Sequence, residues 1–211
     1  MNRTQARFVE LWSRNGGARA EAVYADLVEC YGDPARHYHT LRHIRRCLRD
    51  FDLARSAIPN PDVVELALWC HDVFYMPGAR DNEQRSADWF RRWAGDRIAL
   101  RERICEMILA TQHNHVPHEL DGCFTCDIDL AVLGATRSRF REDGVRLRAE
   151  RSDLDDCAYD LQERRILGSL LARPRIYHTD FFYARCEHRA RENLVWRIGQ
   201  SEPVKSRRDI P

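Results

Sequence analysis

Apolar residues recur every three to four positions along most of the chain, and no stretch alternates one by one as a strand would. Phe8, Leu11 and Trp12 predict a first helix over 4–14, ended by Gly16-Gly17. Ala22, Val23, Ala25, Leu27 and Val28 predict a second from about Arg19 to Tyr31, broken by Gly32-Asp33-Pro34. Leu41, Ile44, Leu48 and Phe51 keep the helical rhythm from about Thr40 to Ala54. Asn60-Pro61-Asp62 reads as a helix start with Asn60 as cap, and the run from Val63 predicts a helix that passes through His71-Asp72 until Pro77-Gly78 stops it.

Asp81 and Gln84 predict a capping box for a helix through Trp93, and Asp96 is expected to open another that reaches Thr111. Residues 113–126 (HNHVPHELDGCFTC) carry Pro and Gly without periodicity and predict a loop. A short helix over 127–133, an Arg-rich surface helix over 137–149, a long helix capped by Ser152 and a last one capped by Thr179 complete the pattern. The fold class is therefore all-α: one domain of about nine helices over 1–200, followed by a frayed polar tail over 201–211.

Composition narrows the class. Hydrophobic residues make up 44% and charged residues 32% of the 211, as in soluble globular chains. The net charge of +1 gives no global field to recruit nucleic acid or an anionic membrane. No apolar stretch approaches the ~20 residues of a membrane span. The start, MNRTQARFVELW, is amphipathic rather than a signal peptide, so a cytosolic setting is expected. In that setting the eight cysteines are reduced thiols. Cys123 and Cys126, a lone CxxC, read as buried or incidental thiols, and Cys70, Cys105 and Cys157 as core.

The candidate chemistry gathers at ALWCHDVFY, residues 67–75, where His71-Asp72 interrupts an apolar run. Burying an ionised carboxylate there costs several kcal/mol unless a cation or a donor compensates it. His39 and His43, four residues apart, are expected on one helix face. Asp127 and Asp129 press against an apolar run in CDIDLAVLG, and His113, His115 and His118 crowd the loop before it. His43, His71, Asp72 and Asp129 supply two imidazoles and two carboxylates, a set suited to a divalent transition metal or Mg²⁺ with positions left open to water.

The succession YHTLRHI, ALWCHDVFY, DNEQRSA, ILATQHNH and DIDLAVLG resembles the HD superfamily of metal-dependent phosphohydrolases, in particular its small bacterial branch. The likeness spans about residues 37–134 and extends more loosely outward. The first motif is also similar to that of cyclic-nucleotide phosphodiesterases, but Thr40 replaces their Asn and Ile44 their Ala, which points away from cyclic-nucleotide specificity. The resemblance implies an HD-type helical bundle with His43, His71, Asp72 and Asp129 as metal ligands. Asp127 competes for the last place, and the Asp-Leu pair favours Asp129.

It also implies metal-assisted hydrolysis of a phosphate ester of a nucleotide or other small phosphorylated metabolite, with Mn, Fe, Co, Ni, Zn or Mg as the ion. His39 corresponds to the general acid, Glu83 could orient the water, and Asp72 could bridge a second ion. His113 and His115 are candidates for that second ion, and Asn82 and Arg42 for phosphate. A homodimer is compatible with this reading; nucleic acid and membrane are not expected partners. Two alternatives stay open: an HD-type di-iron oxygenase, and a non-catalytic helical module that binds metal and senses a nucleotide.

Overall fold

The computed structural model describes residues 2–200 and Val204, and there the chain forms ten α-helices, two short 3-10 turns and no strand. The helices are Arg3–Arg14 (α1), Ala20–Tyr31 (α2), Leu41–Ala54 (α3), Pro61–Cys70 (α4), Asn82–Ala94 (α5), Arg101–Ala110 (α6), Leu120–Leu130 (α7), Arg137–Glu150 (α8), Asp156–Leu171 (α9) and Asp180–Ile198 (α10). The all-α reading holds. Val204 apart, the tail expected over 201–211 lies outside the described residues. Contacts divide the chain into two compact units, 1–126 and 127–211.

In the first unit, α4 is buried on every side: all eight residues from Val63 to Cys70 are inaccessible. A helix apolar all round belongs at the centre of a core, and α1, α3, α5 and α6 pack against this one. Phe8, Trp12, Tyr24, Trp69 and Phe90 meet ring to ring around it, at centroid distances of 5.3–6.3 Å. The acid within this stretch, Glu65, accepts from Arg7 Nε at 2.7 Å and Arg55 Nη1 at 3.3 Å, so its charge is paired.

Several boundaries depart from the sequence reading. The fourth helix stops at Cys70 rather than continuing through His71-Asp72, because side chains of α5 capture the next backbone groups. Ser86 Oγ accepts from Phe74 N and donates to Phe74 O, and Asn82 pairs with both N and O of Met76. Asn60 does not cap α4; its backbone N–H and its Nδ2 both donate to the buried carboxylate of Asp121. Nor does the Asp81–Gln84 box form, since Gln84 Nε2 donates to Asp88 instead. The sixth helix begins at Arg101, after a turn over residues 96–100.

The expected loop over 113–126 is helical from Leu120. Gly122 is the reason the pattern misled: a Cβ there would lie 2.7 Å from Pro117 Cβ, so the glycine lets the preceding loop pack on the helix. Cys123 and Cys126 lie on α7, half-buried and buried, and Cys70 and Cys105 are core. Cys157 is exposed, contrary to expectation, because it sits on the first turn of α9 with its side chain toward solvent.

In the second unit, α9 is capped by Asp155, which accepts from Ala158 N at 2.7 Å, rather than by Ser152. Thr179 caps α10 as predicted, accepting from Phe182 N. The turn before α10 is fixed by two buried acids. Glu187 accepts from the N–H groups of Ile176 and Tyr177, and Asp127 from those of His178 and Thr179. Asn193 Nδ2 donates to the carbonyls of Leu133 and Ala135, tying α10 to the 3-10 turn over residues 131–134.

Candidate functional site

Thr40 fixes the start of α3: its Oγ1 accepts from Arg42 N at 3.3 Å, and the helix begins at Leu41. That places His43 in the first turn, with its ring buried. His39 therefore lies before the helix, not on its face as the spacing predicted. It stacks on Tyr75 at 3.9 Å between centroids and meets Tyr38 edge-on, with its ring 6.2 Å from that of His43.

The end of α4 brings the pair to the same place. His71 N closes the last helical bond to Ala67 O, and its ring turns back so that Nδ1 lies 3.1 Å from Leu68 O. A carbonyl only accepts, so Nδ1 carries the hydrogen and Nε2 faces away from the helix end. Nε2 of His71 is 3.2 Å from Nε2 of His43 and 3.0 Å from Oδ2 of Asp72. The triangle closes with 3.4 Å between His43 Nε2 and Asp72 Oδ2. Cys47, one turn along α3, puts its sulfur 3.6 Å from His43 Nε2.

The electrostatics of the triangle favour charge on the carboxylate. Burial works to raise the Asp72 pKa, but the imidazoles of His71, His39 and His43 outweigh it and hold the group well below the usual carboxylate range. Asp72 is thus ionised throughout the neutral range, with its side chain 15% exposed and one edge open to solvent.

Arg36, which the sequence reading passed over, holds the frame. Its Nη1 donates to Asp72 O at 2.7 Å and to His39 O at 3.3 Å, and its Nη2 donates to Val73 O at 3.0 Å. The guanidinium also lies over the rings of Tyr31 and Tyr75. One side chain thus ties the turn bearing Asp72 to the segment bearing His39. No periodicity or motif marks it, because its partners are carbonyl groups of an irregular turn.

The remaining predicted residues fall as follows. Asn82 is occupied with the Met76 backbone and so acts on the turn, not on a ligand. Glu83 is half-buried on the first turn of α5 and makes no hydrogen bond among the described residues. Arg42 is exposed and donates to His37 O at 3.3 Å. His113, with φ of 55°, and His115 stand outside the group formed by His43, His71 and Asp72. His115 lines a separate cleft of about 500 Å³ with His118, Gln84 and Glu106.

Asp129 belongs to the second unit, half-buried on the last turn of α7. Its competitor Asp127 has both oxygens engaged: Oδ1 by His178 N, and Oδ2 by Thr179 N and Thr179 Oγ1, each at 2.7 Å. Asp127 is therefore a structural acid. Compared with protein-family models, curated proteins and solved structures, the chain matches none.

Proposed function

We propose that the chain is a metal-dependent phosphohydrolase that cleaves a phosphate ester of a nucleotide or another small phosphorylated metabolite. The observation that carries the reading is the orientation of His71. With Nδ1–H directed at Leu68 O, its Nε2 lone pair faces an ionised carboxylate at 3.0 Å and a second imidazole nitrogen at 3.2 Å. Lone pairs and a negative oxygen this close repel one another. They coexist if a proton on one of the two Nε2 atoms, or a cation, stands between them.

The separations fit a cation. Ligands held about 2.0–2.2 Å from one ion lie roughly 2.9–3.5 Å from each other, nearer in octahedral and farther in tetrahedral geometry. The three distances of 3.0, 3.2 and 3.4 Å fall within that span. His43, His71 and Asp72 would hold the ion, and Asp129 joins them on the motif resemblance alone. Bound there, a divalent cation such as Mn, Fe, Co, Ni, Zn or Mg supplies Lewis acidity to a phosphoryl oxygen and acidifies water.

The protein's own groups supply the rest. Leu68 O fixes the His71 tautomer, as partners of ligand imidazoles do. His39, stacked on Tyr75 beside His43, is the side chain suited to deliver a proton to the leaving oxygen. Glu83 keeps the role of orienting water. Arg36 holds Asp72 in place through the backbone.

The test is metal analysis of protein purified without chelator, then a panel of phosphate esters assayed with Mn²⁺, Co²⁺, Ni²⁺ and Mg²⁺. His71→Ala and Asp72→Ala should lose bound metal and hydrolysis together. Full metal occupancy in either variant would overturn the assignment. Bound iron with oxygen uptake would point to an oxygenase. A metal that stabilises the fold while no ester is ever turned over would make the site structural.

A further inference from the structure

Within the second unit, α8, α9, α10 and the turn over 131–134, with Gln200 and Val204 beyond α10, line a partly open cavity of about 400 Å³. That lies in the range of small-ligand pockets, roughly 300–1,000 Å³. Its wall is largely apolar, formed by Val132, Leu133, Phe140, Leu147, Leu167 and Trp196. Two cations and one acid also face it: Arg141, Arg197 and Glu163.

Arg197 is the telling residue. It is only 3% exposed, yet its Nε and Nη1 have no hydrogen-bond partner among the described residues. Its Nη2 is engaged by the carboxylates of Asp160 and Glu163. Buried donors left unmatched cost stability, and those of a charged group cost more than neutral ones. The other cation, Arg141, is exposed at the rim over the Trp196 ring. Asp160 is shared between Arg197 and Arg164, so the acids do not exceed the guanidinium groups around the cavity. Burial pushes the Glu163 carboxyl above its ordinary range, against the pull of Arg197.

We propose that this cavity binds an apolar monocarboxylate, its hydrocarbon or aromatic body against Phe140, Leu167 and Trp196 and its carboxylate on the unmatched donors of Arg197. The inference is independent of the phosphohydrolase reading and concerns a different part of the chain. An anion supplies acceptors to a buried guanidinium, and an apolar body removes the wall from water. A phosphate ester fits less well, since a dianion with many acceptors would meet one buried cation, Arg197, and a mostly apolar wall, with Arg141 exposed at the rim.

Gly144 supplies the control. It lines the cavity from α8, and a Cβ built there meets nothing within 4 Å. Gly144→Leu should therefore fill the space while improving the helix, since glycine is the poorer helix former. The full chain is titrated calorimetrically with straight-chain monocarboxylates from hexanoate to dodecanoate, and with the alcohols of the same lengths.

The expected result is saturable binding that tightens with length until the cavity is full. Carboxylates should be preferred over alcohols by roughly ten- to a hundredfold, as suits a hydrogen bond to a charged donor. Gly144→Leu should abolish binding with an equal or higher Tm, and Arg197→Gln, where it folds, should erase the preference. The proposal is overturned if no member of the series saturates, if alcohols bind as well as the acids, or if Gly144→Leu leaves binding unchanged. Binding that appears only after residues 201–211 are removed also overturns it, because the pocket would then belong to the chain's own end.

Discussion

Asp127 and Asp129 stand two residues apart on one helix, and substitution separates a structural acid from a candidate ligand. Asp127 is fully buried and takes hydrogen bonds from His178 N, Thr179 N and Thr179 Oγ1, each 2.7 Å long. Asp127→Ala strands the buried N–H of Thr179 and the partly buried N–H of His178, at about 1–3 kcal/mol each at most, so a loss of about 2–6 kcal/mol is expected. Bound metal per folded molecule should not change. Asp129→Ala should do the reverse, lowering metal affinity with little effect on stability.

The pH dependence follows from the same site. Burial lifts the Asp127 pKa to about 6, although the Thr179 and His178 donors work to lower it. The unfolded value is about 3.9. Between these values the folded chain binds the proton and the unfolded chain does not. The contribution is therefore fully present below about pH 4 and is lost as pH rises through about 6. Two pKa units correspond to about 3 kcal/mol.

Asp127→Asn stays neutral and lacks this term. Urea denaturation of both proteins from pH 4 to pH 7 should show the wild-type advantage shrinking by about that amount, then levelling off. A difference that stays constant with pH would refute the account of Asp127.

Other outcomes follow from single contacts. Arg36→Ala should weaken metal binding by roughly tenfold or more while the helical circular dichroism is retained, because the carbonyl groups of Asp72 and Val73 lose their clamp; unchanged affinity would remove its positioning role. Gly122→Ala should destabilise by about 1–3 kcal/mol, since the new methyl meets Pro117 at 2.7 Å, whereas Gly144→Ala should stabilise by about 0.5–1 kcal/mol. The two melting temperatures must move in opposite directions. Asp121→Ala should cost about 2–4 kcal/mol in urea denaturation, because the buried carboxylate serves Asn60 N, Asn60 Nδ2 and Arg103 Nη2 together.

Helix periodicity was legible wherever one face is buried and the other wet. The strongly two-faced α1 and α3 were placed within a residue or so of their observed limits. Helix starts were legible where a local cap decides them, as at Thr40 and Thr179, or where proline opens the helix, as at Pro61. Where a distant residue takes the backbone groups, the pattern misled. Ser86 and Asn82 end the run after Cys70, Asp121 takes the Asn60 donors, and the close approach of Pro117 requires a glycine at 122 inside a helix.

The same division governs chemistry. By itself the sequence determined which residue types stand in an apolar run at His71-Asp72, since composition and order need no coordinates. Only tertiary structure decided that His43 Nε2 meets them at 3.2 and 3.4 Å, that Arg36 carries the frame, and that both Asp127 oxygens are engaged by backbone donors. The reason is that a hydrogen bond or a ligand pair forms between atoms a few ångströms apart in space, and the chain order fixes that distance only within a turn or two of helix.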